Sequence, residues 1–262
     1  VRARLSDERQ FLQAMSQAIG QLQSTPGRLV TPVEQASFDA WIGLYRTTEN
    51  SPNTTISYYT KGQVIGLLLD AKIRRLTSGR RSLDDVMRVA YERYSGPRGY
   101  TPQEFRALAS EIAGADLSDW FRRVLETTEE LDYSEMLDWF GLRFRPPQGR
   151  PQIVTGISVA ANTPGRIVVS GLRRSTPAYE AGFNVDDEIL AVNGFRVRPE
   201  QWPSFLENFR AGPSVDVLIA RRDQLMTLKL PIVTRQPESW TLEVRPDATA
   251  EQKAHLAAWL NP

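Results

Sequence analysis

The sequence predicts an α+β protein in two parts, an all-helical N-terminal half followed by a small, partly closed β-sheet domain. Three observations carry this. Apolar residues recur at helical spacing through the first half, they alternate from Ile153 onward, and the run Phe144-Arg145-Pro146-Pro147-Gln148-Gly149-Arg150-Pro151 separates the two patterns. The expected divisions are residues 1–145, a linker at 146–152, a sheet domain at 153–235, and a tail at 236–262 carrying one short helix. With 262 residues, 41% of them apolar and 24% charged, the chain can fill two ordinary cores.

In the first half, Leu5, Phe11, Leu12, Met15, Ile19 and Leu22 share one helical face, and Ser6-Asp7-Glu8 offers a cap. Ser24-Thr25-Pro26-Gly27 breaks that helix. The stretch to Asn53 reads as loop, short helix and loop, with an aromatic cluster of Phe38, Trp41 and Tyr45. A long helix from near Tyr59 to Leu76 has an apolar body, with charges expected only at its ends, and belongs in the centre. Ser82-Leu83-Asp84-Asp85 starts a helix to about Tyr94, and Thr101-Pro102-Gln103-Glu104 is a capping box for the helix to Ile112. Shorter helices follow around Leu117 to Leu125 and Tyr133 to Phe140.

In the second half, strands are predicted around Ile153 to Val159 and at Arg166 to Val169, Glu188 to Val192, Val215 to Ile219 and Leu225 to Leu230. A brief helix at Pro177 to Ala181 and a longer one at Glu200 to Phe209 interrupt them, and Thr249 to Leu260 forms the tail helix.

Composition excludes several functions. Lys+Arg 32 against Asp+Glu 31 gives a net charge of +1, and the arginine pairs lie dispersed among acids without an aromatic platform, so no nucleic-acid surface is expected. No stretch approaches the ~20 apolar residues of a membrane span. Cysteine is absent, which removes disulfides and thiolate metal sites and leaves the compartment, cytoplasmic or periplasmic, open. The one histidine, His255, reads as a solvated residue of the tail helix, so the chain cannot supply the His pair of a zinc peptidase, a Ser-His-Asp triad, or any metal site of its own.

Ser175-Thr176-Pro177-Ala178, Ala181-Gly182-Phe183, Asp187-Glu188-Ile189-Leu190 and Val192-Asn193-Gly194 follow one another in an order and spacing that resemble the PDZ pattern. Pro177 opens a short helix, Gly182 ends it, and Asn193-Gly194 makes a tight hairpin. Asp186 stands where that family usually has Gly, and Asp tolerates the left-handed backbone required. The resemblance implies a peptide-binding groove in which a peptide segment or C-terminus adds as a strand. The matching residues are Gly156, Ile157, Ser158 and Val159, with Trp202, Phe205 and Leu206 on the facing helix. The competing reading is that Trp202 or Phe205 plugs this groove and the domain only braces the helical half or forms a homo-oligomer contact.

The first half carries a second resemblance. Ser24-Thr25-Pro26-Gly27-Arg28, Glu34 to Ile42, Glu49-Asn50, Ile56-Ser57-Tyr58-Tyr59-Thr60-Lys61-Gly62 and Arg81 to Met87 resemble successive blocks of the glycyl aminopeptidase family. These are zinc metallopeptidases with a thermolysin-like catalytic domain and a C-terminal PDZ domain. The resemblance implies that this chain is the C-terminal portion, with Val1-Arg2-Ala3-Arg4-Leu5 similar to the stretch just after the last zinc ligand. The N-terminal part of the catalytic domain would then be its natural partner.

The Tyr-x-Lys-Gly element implies that Tyr59 donates to the oxyanion, with Tyr58 as the alternative. A one-residue step on a helix turns a side chain by about 100 degrees, so only one of the two should face the cleft. The implied function is aminopeptidase action on peptides with a small N-terminal residue, Gly or Ala. Zinc belongs to the complete protein, and this chain alone is expected to be inactive. The alternative is a non-catalytic PDZ-type peptide-binding or scaffold module.

Overall fold

A computed structural model of the chain describes residues 6–160 and 164–260, so Leu5 and the expectation attached to residues 1–5 lie outside the described residues. The chain forms two compact units. One comprises the residues up to Tyr45, Thr55–Pro146 and the stretch from Ser239 on, and the other comprises Arg46–Thr54 and Pro147–Glu238.

The first unit opens with α1 (Glu8–Gln23), set by Asp7, whose Oδ1 accepts from the Gln10 amide at 2.7 Å while Gln10 Oε1 accepts from the Asp7 amide at 2.9 Å. The stretch read as mostly loop is more helical than expected. It holds a 3-10 turn at Pro26–Leu29 and the short helices α2 (Val33–Phe38) and α3 (Ala40–Gly43), while α4 (Ser51–Thr54) belongs to the other unit. Gly27 permits the turn, because a Cβ there would sit 2.0 Å from the Thr55 carbonyl oxygen.

The central helix α5 (Tyr58–Leu76) buries Val64, Ile65, Leu68 and Ile73. The expectation that its charges lie only at the ends is corrected by Asp70 in mid-helix. Asp70 is buried, accepts from Arg74 Nε at 2.9 Å and takes the Leu83 amide at 2.8 Å, so its burial is compensated at both oxygens. Leu83 begins α6 (Leu83–Tyr94), capped by Ser82. Next come α7 (Pro102–Ala113), with the Thr101–Glu104 capping box as predicted, α8 (Ser118–Phe121), which widens over Arg122–Glu126, and α9 (Ser134–Phe140).

Gly141 ends α9 at φ +62° and leads into β1 (Leu142–Phe144), which corrects the all-helical reading of this half. Its partner lies about a hundred residues away.

In the second unit come β2 (Gln152–Ile153), β3 (Ile157–Val159), β4 (Ile167–Leu172), α10 (Pro177–Glu180), β5 (Glu188–Val192), β6 (Phe195–Arg196), β7 (Ser214–Arg221), β8 (Gln224–Pro231) and β9 (Thr234–Arg235). The main sheet is antiparallel in the order β3-β4-β5-β7-β8, with β6 paired to β5, while β2 pairs β9. The α+β class and a PDZ-like sheet are therefore what the chain forms.

The Asn193-Gly194 hairpin is present, with φ +48° and +79°, and joins β5 to β6. Asp186 takes φ +70°, the left-handed conformation expected of it. The predicted helix at 200–209 is instead two 3-10 turns, Pro199–Gln201 and Ser204–Phe209. Pro203 has no amide to donate, and the residue before a proline avoids helical geometry, so Trp202 sits extended at ψ 136° and divides them.

The chain then returns to the first unit with β10 (Leu242–Val244), antiparallel to β1 in the register Leu142↔Val244, and α11 (Ala250–Leu260). The Trp259 ring lies 4.3 Å from that of Phe140 and 5.1 Å from that of Phe11. His255 is half-buried, less solvated than expected. It stacks on Trp139 at 3.7 Å, with 9° between the rings.

Candidate functional site

Ser57 caps α5, its Oγ accepting from the Thr60 amide at 3.3 Å, so Tyr58 and Tyr59 are the first two residues of that helix. Tyr58 packs half-buried against the core, whereas Tyr59 is 60% exposed. The two rings do not diverge as the helical step predicts. Their centroids lie 4.1 Å apart at 32°, because long aromatic side chains can swing back together from divergent Cβ directions.

A third tyrosine completes the group. Tyr45, just past α3, brings its hydroxyl within 3.0 Å of the Tyr59 hydroxyl, and its ring lies 5.1 Å from that of Trp41. The hydrogen bond with Tyr45, then that with Tyr58, pull the Tyr59 phenol below its ordinary pKa of 10.0 against the opposing effect of desolvation. Bonds to Tyr59 and Tyr45 push Tyr58 upward. The sequence places Tyr45 only in an aromatic cluster, since fourteen positions, with the short helix α4 among them, separate it from Tyr59 without any periodic signal.

Lys61, from the same element, faces inward. Its side chain is 1% exposed, Nζ has no hydrogen-bond partner among the described residues, and burial lowers its pKa from 10.5, with Glu130 opposing and Arg28 adding to the shift.

In the second unit, β3 pairs only with β4 among the described residues and so forms one edge of the sheet. Ser158 and Val159 are exposed on it and Ile157 is half-buried. Gly156 adopts φ +82°, and a Cβ there would lie 1.9 Å from Thr176 Oγ1, which accounts for glycine on packing grounds alone. The Ile157 amide already donates to Thr155 Oγ1 at 3.2 Å. Of the residues expected on the facing element, Trp202 and Leu206 are buried in this unit's core, and Phe205 is half-buried against it.

Among the described residues no three His, Cys, Asp or Glu side chains are grouped to hold a metal ion, so the residues present do not fit a zinc centre. No described helix is long and apolar enough to cross a membrane.

Comparison with known proteins places these residues in context. The sequence pattern of the M61 glycyl aminopeptidase family matches residues 1–65, the stretch that contains Tyr45, Tyr58 and Tyr59. A crystal structure of an aminopeptidase N family protein from Idiomarina loihiensis aligns with 99% of this chain at 26% identity and a TM-score of 0.82. The chain spans 45% of that protein, less than half its length. An HtrA-type protease, AlgW with decapeptide, aligns with 34% of this chain and 31% of its own at 24% identity and a TM-score of 0.31. No curated protein sequence matches. The resemblance to the glycyl aminopeptidase family therefore holds on an independent comparison, and the chain is related to peptidases.

Proposed function

We propose that this chain is the C-terminal portion of a zinc-dependent aminopeptidase acting on peptides with a small N-terminal residue, Gly or Ala, and that alone it is inactive. The observation that carries this reading is the exposed Tyr59 hydroxyl at the capped start of α5, inside the stretch that the family pattern matches. The 45% span of the similar aminopeptidase supports assigning the zinc ligands to polypeptide that this chain does not include. The part played here is confined to Tyr59. Its O–H donates to the oxygen of the scissile carbonyl as negative charge builds there, a contribution of about 10²–10³ in kcat.

Assay of the purified chain on glycyl and alanyl p-nitroanilides with added zinc should show no hydrolysis, and metal-dependent turnover would overturn the inactive reading. In the complete gene product, Tyr59→Phe should lower kcat by about 10²–10³ with little change in KM. An unchanged kcat would remove Tyr59 from the mechanism.

A second reading, a non-catalytic peptide-binding module, is favoured by the free edge of β3 with Ser158 and Val159 exposed. Because the Ile157 amide is already engaged, an internal segment suits this edge better than a free C-terminus. A peptide panel presenting both kinds of ligand, with no binder found, would eliminate it. Sedimentation of the chain would separate peptide binding from a homo-oligomer contact at the same edge.

A further inference from the structure

We propose that Tyr45 is a positioning residue for Tyr59, donating its phenolic proton to the Tyr59 oxygen so that the Tyr59 proton is left to point outward at a substrate carbonyl. The inference rests on the reading of Tyr59 as an oxyanion donor. It starts from the 3.0 Å separation of the two hydroxyls. A phenol has one proton and accepts through its lone pairs, so when two phenols face each other one must donate and the other accept. If Tyr59 were the donor, its proton would be spent on Tyr45 and none would remain for a substrate oxygen.

Three features favour the opposite arrangement. Tyr45 follows α3, its amide donating to the Ala40 carbonyl at 3.0 Å and its ring resting 5.1 Å from that of Trp41, which directs the phenol toward Tyr59. The Tyr59 hydroxyl belongs to the most exposed of the three tyrosines, at the helix start, where a carbonyl oxygen can approach. A phenol that accepts a hydrogen bond also becomes the stronger donor, because the bond stabilises the negative charge that develops on its oxygen as its own proton is shared. The lowered pKa of Tyr59, for which Tyr45 is the largest cause, agrees with that polarity. No bond to carbon is made or broken by Tyr45, and it does not touch the substrate.

Two measurements test the proposal. In the 262-residue chain, near-ultraviolet titration of tyrosinate should show one phenol ionising below the ordinary value of 10.0. Tyr59→Phe should remove that phase, and Tyr45→Phe should move it upward. Tyr45→Phe keeps the ring against Trp41, and an unchanged melting temperature certifies that the fold is intact. A low-titrating phenol unaffected by Tyr45→Phe, or one that is lost in Tyr45→Phe and kept in Tyr59→Phe, overturns the proposal.

In the complete enzyme, Tyr45→Phe should reduce kcat about tenfold, the factor one hydrogen bond of ordinary net strength supplies, leave KM unchanged, and move the alkaline limb of the pH profile upward. If Tyr59→Phe abolishes turnover while Tyr45→Phe leaves kcat and its pH profile unchanged, this proposal fails and the oxyanion reading stands. If Tyr59→Phe leaves kcat intact, the oxyanion reading fails and the role given to Tyr45 fails with it, whatever the titration shows.

Discussion

Arg221 closes on Asp187 through two hydrogen bonds, Nε to Oδ1 at 2.7 Å and Nη2 to Oδ2 at 2.8 Å, and the carboxylate has no solvent exposure. The same carboxylate accepts the Asn184 amide at 2.7 Å, tying the turn before β5 to the end of β7. The acid of the PDZ-like pattern is thus a structural residue. Asp187→Ala leaves a guanidinium without its partner, and because Arg221 is about a quarter exposed the loss should fall near the low end for such pairs, about 3 kcal/mol. Urea unfolding followed by probes in each unit should show this loss in the sheet unit. A loss under about 1 kcal/mol would mean that water replaces the pair adequately.

Lys61 predicts a pH dependence. Its pKa is lowered in the folded chain, so between that lowered value and 10.5 the unfolded chain holds a proton that the folded chain does not. Stability therefore rises with pH through that window and is flat in this group on either side. Lys61→Met should abolish the rise and, by removing a buried amine that has no partner among the described residues, stabilise the fold by about 1–2 kcal/mol at neutral pH. Paired urea titrations from neutral to alkaline pH read the difference directly. A less stable Met variant would indicate that the amine is solvated or paired after all.

The devices that could be read from the sequence are local ones. Asp7, Ser82 and Thr101 mark helix starts because a cap is written within four residues, and Asn193-Gly194 marks a hairpin because both residues tolerate positive φ. What escaped is non-local. Three-residue strands such as β1 and β10 carry no period of their own and exist only because each finds the other. Tyr59 was visible through its motif, whereas Tyr45 becomes a site residue only when the fold brings two hydroxyls to 3.0 Å. The helical spacing of Trp202, Phe205 and Leu206 predicts one helix over 200–209, and Pro203 divides that segment into two turns.

Asn53 links two stretches of the sheet unit that are far apart in sequence. Its Oδ1 accepts from the Arg174 amide at 2.8 Å and its Nδ2 donates to the Leu172 carbonyl at 2.8 Å, so it pairs two backbone groups at and just past the end of β4. The side chain is buried, and its amide nitrogen is engaged, so the Asn53-Thr54-Thr55 sequon is closed to glycosylation in the folded chain. Asn53→Ala leaves two backbone groups without partners and should cost about 2 kcal/mol. Hydrogen exchange at the Arg174 amide should accelerate with it, and unchanged protection there would show that another acceptor takes over.

The return of the chain to the first unit makes the C-terminal tail part of the helical core. Trp259 lies between Phe11 of α1 and Phe140 of α9, and the Leu242 amide donates to Ser16 Oγ at 2.8 Å, so residues from both ends of the sequence meet in one apolar cluster. Trp259→Ala removes a large buried ring from that cluster and should destabilise the first unit by about 3–5 kcal/mol. Removing residues 239–262 goes further, since it also strips β1 of its only partner among the described residues and uncovers Phe140. The helical unit should then lose cooperative unfolding and bind a hydrophobic dye, while the sheet unit, whose core residues all lie between 167 and 230, keeps its transition. Loss of both transitions together would show that the two units fold as one, and survival of the helical transition would return the tail to the status of an appendage.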